Sequence, residues 1–276
     1  MNDYNQSRVQ NGDVKAIKLV DVDSAGALSK ALDALATLRV PHGYFLHFYI
    51  VSVISSGFWA EQLLTKGFAF RTISQYMSPM IPAASMSVDQ MALTWALMTV
   101  QGVRRLLETM VFARGSTSKM WFAHWLLGLT FYLAFGVALW IEAAPTVLSS
   151  PSVFSSITMS APSLKTLLGI PIFILASGIQ HDCHAYLASL PKYTLPIHPI
   201  FQVLVCPHYL AECLIYLSLA IIGAPRGAVY NKTILIAFCF VSTNLAVTAS
   251  ASKEWYERRF GQGTVAGRWK MVPWLF

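Results

Sequence analysis

The chain is poor in charge. Only 12% of its 276 residues are Asp, Glu, Lys or Arg, about half of the ~25% found in an average soluble domain. A soluble fold of this length would struggle to cover its surface with so few, whereas a bilayer removes the need because lipid-facing residues must be apolar. Cysteine is scarce as well. Cys183, Cys206, Cys213 and Cys239 show neither a CxxC nor a Cys/His zinc spacing, so they imply no disulfide framework and are expected to be buried free thiols. No G-x-G-x-x-G follows a strand pattern, so any nucleotide would be bound by helices and loops rather than a Rossmann unit. Residues 1–39 lack the basic and apolar regions of a signal peptide. The first hydrophobic helix is therefore expected to act as the membrane signal. No internal repeat with a solenoid or propeller period is visible.

What is present is apolar: 55% of the residues are hydrophobic, and the mean hydropathy is +0.52. The net charge is +7. The basic residues sit at the ends of hydrophobic runs, not along a polar scaffold. That placement argues against a nucleic-acid partner and fits membrane anchoring.

A helix needs ~20 mostly apolar residues to cross a ~30 Å hydrocarbon core. Six segments qualify, at 44–67, 88–112, 120–143, 164–179, 199–222 and 233–251. The fourth is short, which predicts tilt or a longer true boundary. The reading is an all-α, polytopic transmembrane helical bundle of about six spans over residues 40–276, preceded by a polar N-terminal segment, 1–39. Six spans place the N-terminus, the loops 113–119 and 180–198, and the tail after residue 251 on one side. That side is richer in Lys and Arg and should be cytosolic. Sequons at Asn5 and Asn231 are expected to stay unglycosylated, the first being cytosolic and the second abutting a span.

Several polar residues lie where a membrane should exclude them. Gln101, Arg105 and Glu108 step by four and three and so share a helix face. Buried charge of this kind marks a cavity, while arginines snorkelling to headgroups would explain it equally well. Gln180, His181, Asp182, Cys183 and His184 follow the fourth segment. Their spacing matches no helical metal-ligand set, which leaves ligand contacts or loop solvation. His208 and Glu212, again four apart, precede the apolar run 213–222, and a cavity is the better account of them. Asn244, Thr248 and Ser252 share a face, for which helix–helix packing through small polar residues is the simpler explanation. Tyr44, Phe45 and Phe48 suit an interfacial aromatic belt. His47 and Tyr49 beside them are also able to donate protons.

Taken together and in order, these segments resemble the steroid 5α-reductase family, most closely its polyprenol (polyprenal) reductase branch. The similarity is carried by VPHGYFLHFYIVSVI (40–54), QGVRRLLE (101–108), Gln180-x-x-Cys183-His184-x-x-Leu187-x-x-Leu190, Pro207-His208-Tyr209-Leu210-Ala211-Glu212 and the ending MVPWLF (271–276). It covers about residues 40–276. The resemblance implies a bundle of seven transmembrane helices that uses NADPH, bound on the cytosolic side, to reduce a carbon–carbon double bond conjugated to a carbonyl. The implied substrate is a polyprenoid lipid, polyprenal, reduced to dolichal at the endoplasmic reticulum membrane in the pathway that supports N-glycosylation. The implied NADPH site comprises Gln180, His184, His208, Tyr209, Glu212, Asn244 and Tyr256. Lys192 and the basic tail would meet phosphate charge. Gln101, Arg105 and Glu108 would lie where cofactor and substrate meet, and His47 and Tyr49 are the candidates for polarising the carbonyl. No metal is expected. A steroid or enoyl-CoA reductase of the same family is the alternative enzyme, and a non-catalytic lipid-binding protein is the alternative of another class. The chain departs from the family pattern in three places: residues 1–39 contain no first span, Lys253 stands where His is common, and 260–268 lacks the usual Tyr-Pro.

Overall fold

The computed structural model describes residues 26, 29–30, 37–80, 85–112, 117–158 and 161–276. Most of the polar segment 1–39, the sequon at Asn5 and most of the basic loop 113–119 lie outside the described residues.

The chain divides into two compact units, Met1–Phe45 with Ser116–Leu129, and Leu46–Gly115 with Thr130–Phe276. In the first, β1 (Arg39–Pro41) pairs antiparallel with β2 (Lys119–Trp121), Val40 opposite Met120. The Tyr44 and Trp125 rings lie 6.1 Å apart in the same unit.

The second unit is a helical bundle. Its helices are α1 (Leu46–Thr65), α2 (Phe68–Met77), α3 (Val88–Val111), the continuation of α4 (Phe122–Ala138), and the short α5 (Ala144–Ser149) and α6 (Val153–Ser156). Then come α7 (Leu164–Ser189), the short α8 (Pro199–Val203), α9 (Pro207–Ile222) and α10 (Lys232–Phe260). Each of the six apolar segments contains a long helix, and the fold is the expected all-α polytopic bundle. Three stretches, Phe122–Ser149, Leu164–Ser189 and Lys232–Phe260, are long and apolar enough on their own to cross a membrane. The 16 residues of α9 reach only about 24 Å at 1.5 Å per residue. The outward faces fit lipid: Leu167, Leu168, Ile174 and Leu175 on α7, and Ile236 and Val247 on α10, are exposed.

Two boundaries and one added helix correct the sequence reading. α7 continues well beyond residue 179 to Ser189, so Gln180–His184 are helical and the connecting loop shrinks to 190–198. Polar side chains lower the hydropathy there, but partners on other helices satisfy them. The fifth span starts only at Pro207, because Leu204 leaves α8 to form a parallel bridge with Trp269. The amphipathic α2, which buries Phe70 and exposes Phe68 and Tyr76, was not anticipated. One thiol also departs from expectation: Cys239 is exposed while the other three are buried.

Local chemistry explains the helix starts. Ser87 and Gln90 form a reciprocal capping box at the start of α3. The Gln90 amide also donates to the carbonyls of Ile222 and Ala224, which the end of α9 leaves without helical partners. Asn231 caps α10 by accepting from Ile234 N, and its amide donates to Gly223 O. The Asn231 side chain of this sequon is thus fully buried and committed to structure. Pro207 opens α9 at a position where a missing N–H costs nothing.

Small residues let the spans approach closely. A Cβ on Gly169 of α7 would stand 2.4 Å from Ile222 Cγ1 of α9. One on Gly102 of α3 would stand 3.0 Å from Ser52 Oγ of α1. The main core gathers Met98, Phe135, Phe173, Tyr216, Leu219 and Ile234. The C-terminal segment then folds back onto the connection between α8 and α9. Val205 N and Cys206 N donate to the Trp269 and Lys270 carbonyls, and Arg268 donates to those of Pro196 and Phe201.

Candidate active site in the membrane-spanning helices

Four helices bring polar residues to one level. α1 and α9 begin there, and α3 and α7 end there. Tyr49, Gln101–Glu108, Gln180–His184 and His208–Glu212 therefore fall within about three turns of those ends, at 3.6 residues per turn.

Glu108 is the hub. It is 5% exposed and accepts from Arg104, from Arg105 Nη1 at 2.5 Å and from His181 Nδ1 at 2.7 Å. Two guanidinium groups offset the cost of burying one carboxylate, a cost that unpaired charge in a membrane cannot avoid. Arg105 also donates to the Tyr49 hydroxyl oxygen, from Nη2 at 2.7 Å and Nε at 3.2 Å, and its guanidinium lies over the Tyr49 ring. Its Nη1 is 2.5 Å from His184 Nδ1. The same nitrogen is 3.3 Å from Glu108 Oε2, so it stands between a group that only donates and one that only accepts.

A second strand of bonds runs from Gln101 to Glu212. The Gln180 oxygen accepts from Gln101 Nε2 at 2.8 Å and from Arg104, and Gln180 Nε2 donates to the Glu212 carboxylate. The Gln101 oxygen accepts from Arg104 Nη2 at 2.9 Å and from Ser177 Oγ at 3.1 Å. The orientation of both carboxamides is thereby fixed, because each oxygen faces only donors. The His208 ring stands 5.4 Å from that of His184 and 4.3 Å from that of Tyr209. Its Nδ1 is buried with no hydrogen-bond partner among the described residues.

The structure therefore gathers Tyr49, Gln101, Arg105, Glu108, Gln180, His184, His208, Tyr209 and Glu212 around one another. His47 precedes Tyr49 by two residues and so occupies a different face of α1. Asn244 lies mid-way along α10. Tyr256 belongs to an aromatic and apolar group with Trp255, Phe260, Cys206 and Met271. Lys192 is exposed on the 190–198 connection. Of the tail cations, Lys253 donates to the Ala266 and Arg268 carbonyls.

Two members of the cluster, Arg104 and His181, stood in the polar runs noted from sequence but were given no role in the site. The spacing was there to find Arg104: it precedes Glu108 by four and follows Gln101 by three.

With this geometry in view, similarity to known proteins becomes specific. Residues 153–276, which hold α7, α9 and α10, match the family described as 3-oxo-5-alpha-steroid 4-dehydrogenase. That match covers the C-terminal portion, a little under half of the chain. The polyprenal reductase of Saccharomyces cerevisiae is 27% identical over 248 residues, covering 90% of this chain and 79% of the yeast protein. Human polyprenal reductase is 27% identical over 244 residues, covering 82% of this chain and 75% of its own length. Polyprenal reductase 2 of Oryza sativa subsp. japonica is 26% identical, with 95% and 85% covered. The resemblance carried by the motifs is thus met by the family match over 153–276, and its polyprenal branch by the similarity to these relatives.

Proposed function

We propose that the chain is an NADPH-dependent oxidoreductase that saturates the α-isoprene double bond of polyprenal to give dolichal. The observation that carries this reading is the bonded cluster from Tyr49 through Arg105 and Glu108 to Gln180 and Glu212, built inside spanning helices where polar groups are costly. The relatives named polyprenal reductase supply the substrate class.

The residues present fit a nicotinamide. Its carboxamide needs both a donor and an acceptor, and the buried Nδ1 of His208 and the Glu212 carboxylate stand in one cluster with the Gln180 amide. Gln180, His184, His208, Tyr209 and Glu212 would hold the ring end. Lys192, Asn244 and Tyr256 are assigned to the remainder of the dinucleotide. When bound, NADPH supplies a hydride. Reduction would place that hydride on the β-carbon of the allylic aldehyde, negative charge would build on the carbonyl oxygen, and a solvent proton would complete the α-carbon. Tyr49, whose oxygen Arg105 fixes, is positioned to donate to that oxygen, with His47 as the second candidate. Glu108 and Gln101 keep Arg105 and Gln180 in place. In the cell the enzyme would sit in the endoplasmic reticulum membrane with its C-terminus cytosolic and feed the dolichol carrier of N-glycosylation.

The test is to incubate purified protein with NADPH and polyprenal, then with a 3-oxo-Δ4 steroid, and analyse products by mass spectrometry. The expected result is polyprenal gaining two hydrogens. Saturation of the steroid alone would overturn the substrate assignment and favour the reaction named in the matching family's description. Unchanged NADPH affinity in both Glu212→Gln and His208→Ala would favour a non-catalytic lipid-binding protein.

A further inference from the structure

A groove of about 760 Å³ runs along the outer side of α3 where it meets α7. This volume lies within the ~300–1,000 Å³ range of ligand sites. Its wall is apolar, formed by Val100, Val103, Leu107 and Val111, of which Val100, Leu107 and Val111 are 63%, 56% and 76% exposed. On spanning helices such exposure faces lipid, not water. The groove is not apolar throughout, because Arg104, Glu108 and His181 line it too. Glu108 is the hub of the candidate active site, so groove and site are continuous. Arg104 adds a second, independent observation: its Nε is buried with no hydrogen-bond partner among the described residues, while its terminal nitrogens bind Glu108, Gln101 and Gln180.

The occupant these features fit has one small polar head and one long apolar chain. The head must accept hydrogen bonds, since Arg104 only donates. It should be uncharged, since Glu108 and Glu212 together already balance Arg104 and Arg105. The chain must leave sideways, since the wall opens between helices. We infer that this α3–α7 groove is the docking track for the isoprenoid chain of the substrate, which reaches the active site laterally from the bilayer with its oxygen end passing Arg104 on the way to Tyr49. The inference rests on the polyprenal reductase reading and deepens it. Under it, Val103 and Leu107 select the chain without touching the reacting carbons.

The test uses full-length protein in nanodiscs and a polyprenal analogue bearing a diazirine on its third isoprene unit. Photolabelling maps by mass spectrometry to Val100, Val103, Leu107 or Ala185, and unlabelled polyprenol competes it away. Label confined to the other apolar groove, between Val51, Phe58 and Leu133, would overturn the inference. So would competition by phosphatidylcholine as effective as that by polyprenol, since the groove would then be a general lipid contact. Val103→Trp, which fills the track, raises KM for polyprenal about tenfold with the affinity for NADPH within twofold; an unchanged KM counts against the inference. Labelling requires neither cofactor nor turnover. Competed labelling without any reduction therefore sinks the reductase reading and leaves the track standing, and reduction without labelling does the reverse.

Discussion

The carboxamide of Gln180 on α7 donates to the carboxylate of Glu212 on α9. The same amide receives Gln101 Nε2 and Arg104 on its oxygen. It therefore cannot flip, and it ties α3, α7 and α9 together through one side chain. A half-buried carboxylate that loses its donor keeps part of its desolvation cost, so this bond matters more broken than made.

Replacing Gln180 by Leu should weaken NADPH binding about ten- to hundredfold, the equivalent of ~1.5–3 kcal/mol for a hydrogen bond to a charged group. Gln180→Glu should be worse, because it sets two carboxylates against each other. Cofactor titration by NADPH fluorescence in nanodiscs checks both. Equal affinity in wild type and Gln180→Glu would remove Gln180 from the site.

Arg104 spans three acceptors, Glu108, Gln101 and Gln180, and Lys cannot reproduce a planar fork. Arg104→Lys should therefore lower kcat about tenfold or more. The informative measurement is a double-mutant cycle with Glu108→Gln. Groups in one ion-pair network couple by ~0.5–3 kcal/mol, and independent sites add. Additivity would show that Arg104 acts elsewhere.

Much of this was legible in the sequence, for physical reasons. Hydropathy finds spans because the bilayer imposes length and apolarity together. The shared face of Gln101, Arg105 and Glu108 followed from helical spacing alone. The end of α7 did not. Gln180, His181 and His184 look like a loop to any local measure, and only their partners on α3 and α9 make a helix affordable there. For Arg104 the spacing to Gln101 and Glu108 was legible, but its distant partner Gln180, 76 residues away in sequence, was not. The fold-back of Trp269 and Lys270 onto 203–206 rests on backbone hydrogen bonds, which leave no trace in side-chain pattern. Tyr256 shows the opposite case: family likeness put it with the cofactor residues, while its visible contacts are with Trp255 and Phe260.

Gly169→Ala should destabilise the bundle by ~1–3 kcal/mol, the usual cost of overpacking. The added Cβ would meet Ile222 Cγ1 at 2.4 Å and the Ser218 carbonyl at 3.3 Å, and the carbonyl cannot rotate away. A companion Ile222→Val should recover part of the loss. Thermal midpoints in detergent compare the three proteins. A Gly169→Ala midpoint equal to wild type would show that α7 and α9 pack less closely.

Cys206 tests the docking of the C-terminal segment. Burial pushes its thiol up to about 12, against a lowering by Ser252. Thiolate is the reacting form, so at pH 8 only about one Cys206 in ten thousand is ionised. Alkylation of the folded protein should be slow there and rise roughly tenfold per pH unit. The unfolded thiol ionises near ~8.5, so the folded state holds a proton that the unfolded state gives up. Stability from this group is full below about pH 8.5 and is lost as pH rises toward 12. Cys206 packs with Val205 and Met271, and its N–H donates to the Lys270 carbonyl. Deleting residues 272–276 removes Val272 and Phe276, which pack on the same cluster. That truncation should speed alkylation at pH 8 at least tenfold. Maleimide labelling followed by peptide mass spectrometry reads the rate at Cys206. Fast labelling of the intact folded chain would mean that the tail does not cover this thiol.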